Sequence, residues 1–209
     1  MTAIDKKIAI KFFLPLILFS LIFLYFEVFL VFIVLLLVLL FLIFFFRDPN
    51  RNIPQTGVVS PADGRIKKIK KTREGGIEIS IFMGPFDVHV NRSPIGGLVN
   101  EVKHKKGKHI PAFKKESEKN ERTIIKLKKG DSSFIINQIA GFMARRIYSF
   151  VEANEKLKKG ERIGLIALGS RVNLLLPPSI NKEDLLVDEN DKVRAGETKI
   201  ANNILDLGK

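Results

Sequence analysis

The sequence predicts a mainly β protein, in which an N-terminal transmembrane helical hairpin precedes a compact antiparallel domain of the β-sandwich or barrel-sandwich type. Three observations lead to this fold class. Residues 8–46 are almost wholly apolar, the rest of the chain carries short β-branched runs between turn residues, and two pairs of turn-and-strand segments resemble each other. We therefore divide the chain into a membrane anchor at 1–46, a linker at 47–56 and a soluble domain at 57–209.

The apolar segment 8–46 is too long for one straight span. A single helix over this segment would reach about 60 Å at 1.5 Å per residue, roughly twice the hydrocarbon thickness of a bilayer. A break at Glu27 gives two spans, Ile8–Phe26 and Val28–Phe46. One tilted span with an interfacial segment is the alternative. The positive-inside rule places both ends, and the soluble domain, on the cytoplasmic side of the cell membrane, because both ends carry basic residues, namely Lys6, Lys7, Lys11, Arg47 and Arg51.

The linker at 47–56 is polar and contains proline, and the composition after it is typical of strands. The predicted strands are runs rich in β-branched residues, bounded by Gly, Pro, Asp and Asn, at Gly76–Phe82, Thr123–Leu127, Ser133–Ile139, Arg162–Ala167 and Val172–Leu176. Only Ala140–Val151 has a helix-like pattern. Short strands between turn signals favour a sandwich or a partly open barrel.

Two pairs of segments share a turn-then-strand pattern. Residues 60–66 (SPADGRI) resemble 93–99 (SPIGGLV), and residues 159–163 (KGERI) resemble 195–200 (AGETKI). Such units are typical of barrel-sandwich domains like those of lipoyl carriers. The alternative is a chance similarity between glycine-rich turns.

Composition excludes some functions and leaves others open. The chain has 209 residues and no cysteine, which excludes disulfides, thiolate metal sites and a cysteine nucleophile. Its net charge is +13, almost all of it beyond residue 46. A basic domain beside a bilayer faces anionic headgroups, although a merely solvated basic surface is the alternative. We expect a membrane partner, no nucleic acid and no metal.

The apolar run 165–176 is interrupted by one pair, Gly169-Ser170. Glycine lacks a Cβ, so it permits a strained backbone and leaves its carbonyl unhindered. Attack by Ser170 Oγ on the Gly169 carbonyl would convert the peptide into an ester. β-Elimination and hydrolysis would then release ammonia and leave a pyruvoyl group in place of the serine. The alternative is an ordinary turn, which is the commoner meaning of this dipeptide by itself.

Serine attack requires a base, and the chain has three histidines. His104 and His109 lie in a lysine-dense stretch that indicates a solvated basic loop. His89 lies in the apolar alternation 88–90 and is the candidate base, with a structural histidine as the alternative. Asp63 is the candidate carboxylate that orients the imidazole, with an ordinary turn aspartate as the alternative.

Five short motifs occur in a characteristic order. They are SPADG at 60–64, FDVHVNR at 86–92, NERT at 120–123, QIAG at 138–141 and LGSRVN at 168–173. At these spacings the chain resembles the phosphatidylserine decarboxylase family in its short form, over about residues 47–178.

The resemblance implies a self-processing, pyruvoyl-dependent lyase of phospholipid biosynthesis, made as a zymogen. Its substrate would be a phosphatidylserine-type lipid and its product the ethanolamine lipid. The resemblance also implies that Asp63, His89 and Ser170 act as a set, with His89 serving cleavage, decarboxylation or both. The chain departs from the family pattern at three positions, where it has Arg92, Arg171 and Asn173.

We therefore expect a cut between Gly169 and Ser170. The chains 1–169 and 170–209 would then stay together as a heterodimer. Arg145, Arg146 or the lysine runs would hold the lipid phosphate. The alternative function is a non-enzymatic, membrane-tethered, lipoyl-like binding module in which Gly169-Ser170 is only a turn.

Overall fold

The computed structural model of the chain describes residues 6–25, 29–107, 120–141, 146–167 and 170–202. The chain forms two compact units, Met1–Pro49 and Asn50–Lys209. The boundary between them falls inside the segment 47–56, whose role as a linker stays a prediction.

The first unit contains two helices, α1 at Lys6–Tyr25 and α2 at Phe29–Phe45. The ring centroids of Phe12 and Phe46 lie 5.6 Å apart. The beginning of α1 therefore lies beside the end of α2, and the two helices form an antiparallel pair.

The transmembrane hairpin predicted for residues 8–46 is wrong. Within the described ranges, neither helix combines the length and the apolar character that crossing a bilayer requires. Helix α2 has 17 residues, which at 1.5 Å per residue span about 25 Å and fall short of a hydrocarbon core of roughly 30 Å. Helix α1 has 20 residues, but Lys6, Lys7 and Lys11 shorten its apolar part. The same finding removes the alternative of one tilted span, and the expected hairpin tip at Glu27 lies outside the described residues.

The second unit is built of antiparallel strands. Those in its described part are β1 Val58–Val59, β2 Gly64–Lys71, β3 Ile77–Met83, β4 Val90–Arg92, β5 Gly97–Lys105, β6 Arg122–Lys129, β7 Ser132–Ala140, β8 Ile147–Ser149, β9 Lys156–Leu157, β10 Arg162–Ile166, β11 Ser170–Leu176, β12 Lys192–Val193 and β13 Lys199–Ala201. Eight of them form one sheet in the order β12-β2-β3-β11-β7-β6-β5-β9. Two small sheets, β1-β13 and β4-β10-β8, complete the arrangement.

The mainly β character and the five predicted strands are confirmed, and each strand differs from its predicted bounds by one or two residues. The helix predicted at 140–151 is wrong. Its described residues contain the end of β7 at Ala140 and the whole of β8, and residues 142–145 lie outside the described part. Its apolar residues Ile147 and Val151 are buried in the core of the sheet domain, a pattern that short strands satisfy as well as a helix does.

The two pairs of similar segments adopt matching structures. Ser60 Oγ donates to the Ala62 carbonyl at 2.7 Å, and Ser93 Oγ donates to the Ile95 carbonyl at 2.6 Å. A long strand follows each turn, β2 in the first case and β5 in the second. In the other pair, Gly160 and Gly196 share a φ of 76°, a left-handed conformation that favours glycine.

The large sheet has two halves of four strands each, β12-β2-β3-β11 and β9-β5-β6-β7, which meet at β11 and β7. Strand β12 pairs with β2 at Gly64 as β9 pairs with β5 at Gly97. At the centre, Leu174 of β11 lies opposite Ile136 of β7. The strand order is therefore symmetric about the central pair β11 and β7, and the candidate site residues occupy one end of that pair.

The core lies on one face of the large sheet. Side chains from β3, β7 and β11, including Ile81, Ile136 and Leu174, are fully buried in it. Strand β11 has a hydrogen-bonded neighbour on both sides along most of its length. Ser170, where β11 begins, therefore lies inside the domain, on a strand with neighbours on both sides.

Candidate active site

Ser170 is the first residue of β11, and its side chain is fully buried. It lies opposite Met83, the last residue of β3, and opposite Ala140, the last residue of β7. Its Oγ lies 3.7 Å from Met83 Sδ. A thioether is a weak acceptor, so this contact leaves the oxygen lone pairs available for attack. Gly169, the other half of the predicted cleavage site, lies outside the described residues.

His89 lies at the same end of the sheet, just before β4. Its Nδ1 lies 2.9 Å from the main-chain carbonyl oxygen of Asp87. Because a carbonyl only accepts, Nδ1 carries the proton in this hydrogen bond, and Nε2 is the basic nitrogen of the neutral ring. The ring is fully buried. These features give the imidazole the tautomer that a general base requires.

Main-chain pairing holds His89 close to the segment that leads to the cleavage site. Strand β4 pairs with β10, with Val90 opposite Leu165. The Ile166 N–H donates to the His89 carbonyl at 3.4 Å. The imidazole therefore belongs to the strand beside β10, whose chain continues through residues 167–169 to Ser170. The fold thus brings Ser170 and His89 to one end of the sheet, and Asp63 lies at that end too, since the next residue but one, Arg65, pairs with Phe82 beside Met83.

Asp63 is nearly buried, and the hydrogen bonds shown for it go to groups other than His89. Arg51 Nη2 donates to its two carboxylate oxygens at 2.9 and 3.0 Å. The Ala195 N–H donates to Oδ1 at 2.7 Å. Burial raises the pKa of the Asp63 carboxyl above its ordinary value, and the hydrogen bond from Ala195 and the charge of Arg51 offset only part of that effect. The role of Asp63 in cleavage stays a prediction.

Arg51 was treated in the sequence only as a flanking charge, yet its side chain is 4% exposed. Its Nη1 donates to Glu197 Oε2 at 3.4 Å, and the Asn52 N–H donates to Oε1 of the same carboxylate at 3.2 Å. Arg51 therefore lies between two carboxylates, Asp63 before the predicted cut and Glu197 after it. No local sequence signal marks this role, because the partners are 12 and 146 residues away.

Two buried amides extend the site. Asn91 Nδ2 donates to Met83 Sδ at 3.5 Å, and Gln138 Nε2 donates to Asn91 Oδ1 at 2.8 Å. A chain of contacts therefore leads from Ser170 through Met83 to both amides. Both residues stand in the motifs at 86–92 and 138–141, but the sequence assigned them no part, because a cross-strand register is needed to bring them together.

The other two histidines, His104 and His109, were both predicted to lie in a solvated basic loop. His104 lies in β5 and not in a loop, with Nδ1 3.0 Å from Thr123 Oγ1 and Nε2 3.6 Å from Glu121 Oε1. His109 lies outside the described residues, as does Arg145. The expected phosphate contact through Arg146 or the lysine runs stays a prediction.

Comparison with known proteins decides the family. The family model described as phosphatidylserine decarboxylase matches residues 38–201. The chain belongs to the phosphatidylserine decarboxylase family. This membership confirms the resemblance drawn from the five motifs. It also makes the chain a decarboxylase, in place of the lipoyl-like binding module that was the alternative.

Individual relatives agree with the family assignment. A protein of Streptomyces coelicolor named phosphatidylserine decarboxylase proenzyme is 47% identical over 158 residues, which cover 75% of this chain and 70% of the relative. A protein of Halobacterium salinarum, provisionally named archaetidylserine decarboxylase proenzyme, is 44% identical over 157 residues, which cover 75% of this chain and 78% of the relative. A Thermobifida fusca protein named phosphatidylserine decarboxylase proenzyme is 44% identical, with 75% and 70% of the two chains covered.

The structure explains two departures from the pattern of this decarboxylase family. Arg92 Nη1 donates to the Gly160 carbonyl at 3.0 Å, so this residue ties β4 to the turn before β10. Asn173 Nδ2 donates to Glu78 Oε1 at 3.1 Å. An aspartate at position 173 would place a second carboxylate beside Glu78, so the amide suits this neighbour better.

Proposed function

We propose that the protein is a pyruvoyl-dependent decarboxylase that converts a phosphatidylserine-type lipid into the phosphatidylethanolamine-type lipid. The protein first cuts itself between Gly169 and Ser170. One observation carries the proposal, namely the buried Ser170 at the start of the central strand, at the end of the sheet where His89 also lies. The names of the relatives support both the substrate class and the proenzyme.

The self-cleavage uses groups of the chain itself. Ser170 Oγ loses its proton to a base and bonds to the Gly169 carbonyl carbon, while the peptide C–N bond breaks and its nitrogen takes up a proton. A base then removes the α-proton of residue 170, and the Gly169 carboxylate leaves. Water adds to the resulting dehydroalanine, ammonia departs, and a pyruvoyl group remains. His89, with Nε2 as its basic nitrogen, is our candidate for these proton transfers.

The surroundings of position 170 fit a small, uncharged, buried group. The neighbouring strand ends are Met83 and Ala140, an apolar pair beside a fully buried serine. When present, the pyruvoyl group supplies an electron sink for decarboxylation, the role that carbonyl cofactors play elsewhere. The chain supplies the enclosure that excludes water, and His89 holds or returns a proton near the reacting position.

We also propose that the chains 1–169 and 170–209 remain one heterodimer after the cut. The shorter chain would begin with β11, which pairs with both β3 and β7. Its later strands β12 and β13 pair with β2 and β1 of the longer chain. Hydrogen bonds between the two chains would thus involve three strands, so separation would require unfolding.

We further propose that the enzyme works at the cytoplasmic side of the cell membrane. Support comes from a lipid substrate and from the net charge of +13, since anionic lipids are abundant in the cytoplasmic leaflet. Membrane fractionation of cells, with and without external protease, tests this location. A protein found only in the soluble fraction, or one digested from outside intact cells, would contradict it.

The test of the activity compares wild type with Ser170→Ala and Ser170→Thr. Each is incubated with phosphatidylserine, and the lipid product and released carbon dioxide are measured. We expect activity in wild type, none in Ser170→Ala, and residual activity in Ser170→Thr, which keeps a hydroxyl. Equal activity in wild type and Ser170→Ala would reject the proposed function.

A further inference from the structure

A tight turn beside the active site exposes one aromatic ring. Residues 84–87 connect β3 to the segment that carries His89, and Phe86 in this turn is 70% exposed. The Asp87 N–H donates to the Gly84 carbonyl at 3.1 Å, and the Gly84 N–H donates to Asp87 Oδ2 at 2.8 Å. Two hydrogen bonds thus close the turn that carries the exposed side chain of Phe86.

The turn lies between two residues of the site. Met83, directly before it, is opposite Ser170, and His89 follows it by two residues. A membrane that receives the Phe86 ring would therefore lie beside Ser170 and His89, where the lipid headgroup must react.

The same end of the sheet carries a basic row, in which Arg65 and Lys105 are exposed and Arg122 and Arg171 are half-buried. Cross-strand register aligns six residues, in the order Arg65, Phe82, Arg171, Ile139, Arg122 and Lys105. Four of the six are cationic and none is acidic. A row farther along the sheet instead mixes signs, with Lys70 opposite Glu78 and Lys126 opposite Glu101.

The acidic side chains near this end have partners of their own. The Asp87 carboxylate accepts from the Gly84 N–H, Asp63 accepts from Arg51, and Glu121 lies beside His104. These contacts do not cancel the charge of Asp87, but the four cations of the row outnumber the Asp87 and Glu121 carboxylates at this end of the sheet. An exposed aromatic ring beside a cationic row matches the chemistry of a bilayer interface, where apolar groups insert below anionic headgroups.

We propose that the turn 84–87 is a membrane-docking element, with Phe86 inserted at the headgroup–acyl boundary of an anionic bilayer and the basic row facing the headgroups. This inference rests on the proposed lipid substrate and names the surface that delivers it. It makes Phe86 a determinant of the use of membrane lipid and gives it no part in self-cleavage.

The absence of tryptophan from the sequence gives a direct test. Phe86→Trp places one fluorophore at the turn of the full-length protein. We expect its emission to shift to the blue on addition of phosphatidylserine–phosphatidylcholine vesicles, and to shift less with phosphatidylcholine alone. The matched control is Leu98→Trp, at a position that is 42% exposed and pairs with Lys128 at the opposite end of the sheet. Its emission should not respond.

Activity supplies the second readout. Phe86→Ala should lose about tenfold in activity on vesicles, from the lost burial of one ring. It should keep wild-type activity on a short-chain, monomeric phosphatidylserine and wild-type self-cleavage. Leu98→Ala should match wild type in all three assays.

The outcomes separate the docking proposal from the proposed function. If wild type cuts itself and decarboxylates lipid while the emission of the Phe86→Trp variant ignores vesicles, the docking surface is wrong and the function stands. A blue shift that depends on protein concentration without vesicles would assign the turn to a contact between copies of the chain and reject docking. Loss of self-cleavage in Phe86→Ala would make Phe86 part of the processing site and also reject docking. A wild type that neither cuts nor decarboxylates rejects the function itself.

Discussion

Replacing Arg51 with glutamine should destabilise the protein in a pH-dependent way. The Arg51 side chain is 4% exposed and that of Asp63 is 11% exposed, so their contact at 2.9 Å is largely shielded from water. Removing one partner of a buried ion pair typically costs about 3–5 kcal/mol, because the other charge is left uncompensated. We expect Arg51→Gln to lower the free energy of unfolding by about 3 kcal/mol near neutral pH. This value is at the lower end of the range because the Ala195 N–H still donates to Asp63.

The pH dependence follows from the raised pKa of Asp63. Between the unfolded and the folded pKa the folded protein binds more protons than the unfolded chain, so stability falls as pH rises through this interval. Loss of the Arg51 cation moves the folded pKa of Asp63 further upward and extends the interval. Arg51→Gln should therefore lose more stability than its parent as the pH rises from acidic to neutral.

Urea unfolding followed by circular dichroism measures both effects, in a Ser170→Ala background that keeps a single chain. Arg194→Gln is the matched control, because its side chain is 70% exposed and lies 3.8 Å from Glu197. We expect that control to change stability by less than about 0.5 kcal/mol. An Arg51→Gln protein that matches its parent at both pH values would refute the argument that Arg51 compensates a buried carboxylate.

Three further substitutions test the site and the assembly. His89→Gln keeps a donor for the Asp87 carbonyl but cannot act as a base. The rate of decarboxylation, measured as released carbon dioxide, should therefore fall about 10²–10⁴-fold. Unchanged activity would show that the imidazole takes no part in the chemistry. Asp63→Asn should slow self-cleavage, seen as uncut chain on a denaturing gel. Cleavage at the wild-type rate would leave Asp63 only a structural part. Leu174→Ala removes a fully buried side chain of β11 and should lower the free energy of unfolding by about 3 kcal/mol. In size-exclusion chromatography the shorter chain should separate at a lower urea concentration than in the control Leu175→Ala, whose side chain is half-buried. Separation at the same urea concentration in both variants would contradict the central place of β11.

The strands were predictable because local alternation records them. Val172–Leu176 and Ser133–Ile139 each carry the apolar spacing of a half-buried strand, and their predicted bounds are nearly those observed. The paired turns were also predictable, since Gly160 and Gly196 stand where the backbone needs a positive φ.

Other features depend on contacts that the sequence does not display. The contact of Gln138 with Asn91 spans 47 residues, and that of Arg51 with Glu197 spans 146. Only the register of the assembled sheets brings such groups together. The membrane hairpin failed for a different reason. The two helices lie close to their predicted bounds, but neither described helix has the length and apolar character that crossing a bilayer requires.

The central claim is that the chain cuts itself at Gly169 and converts Ser170 into a pyruvoyl group. The most direct measurement is the intact mass of the purified wild-type protein under denaturing conditions. We expect two chains, Met1–Gly169 and a shorter chain from residues 170–209 that lacks a free amino terminus and reacts with hydrazines. Ser170→Ala should give one full-length mass. An active wild-type preparation that contains only uncut chain, with an ordinary serine at position 170, would contradict both the self-cleavage and the pyruvoyl mechanism.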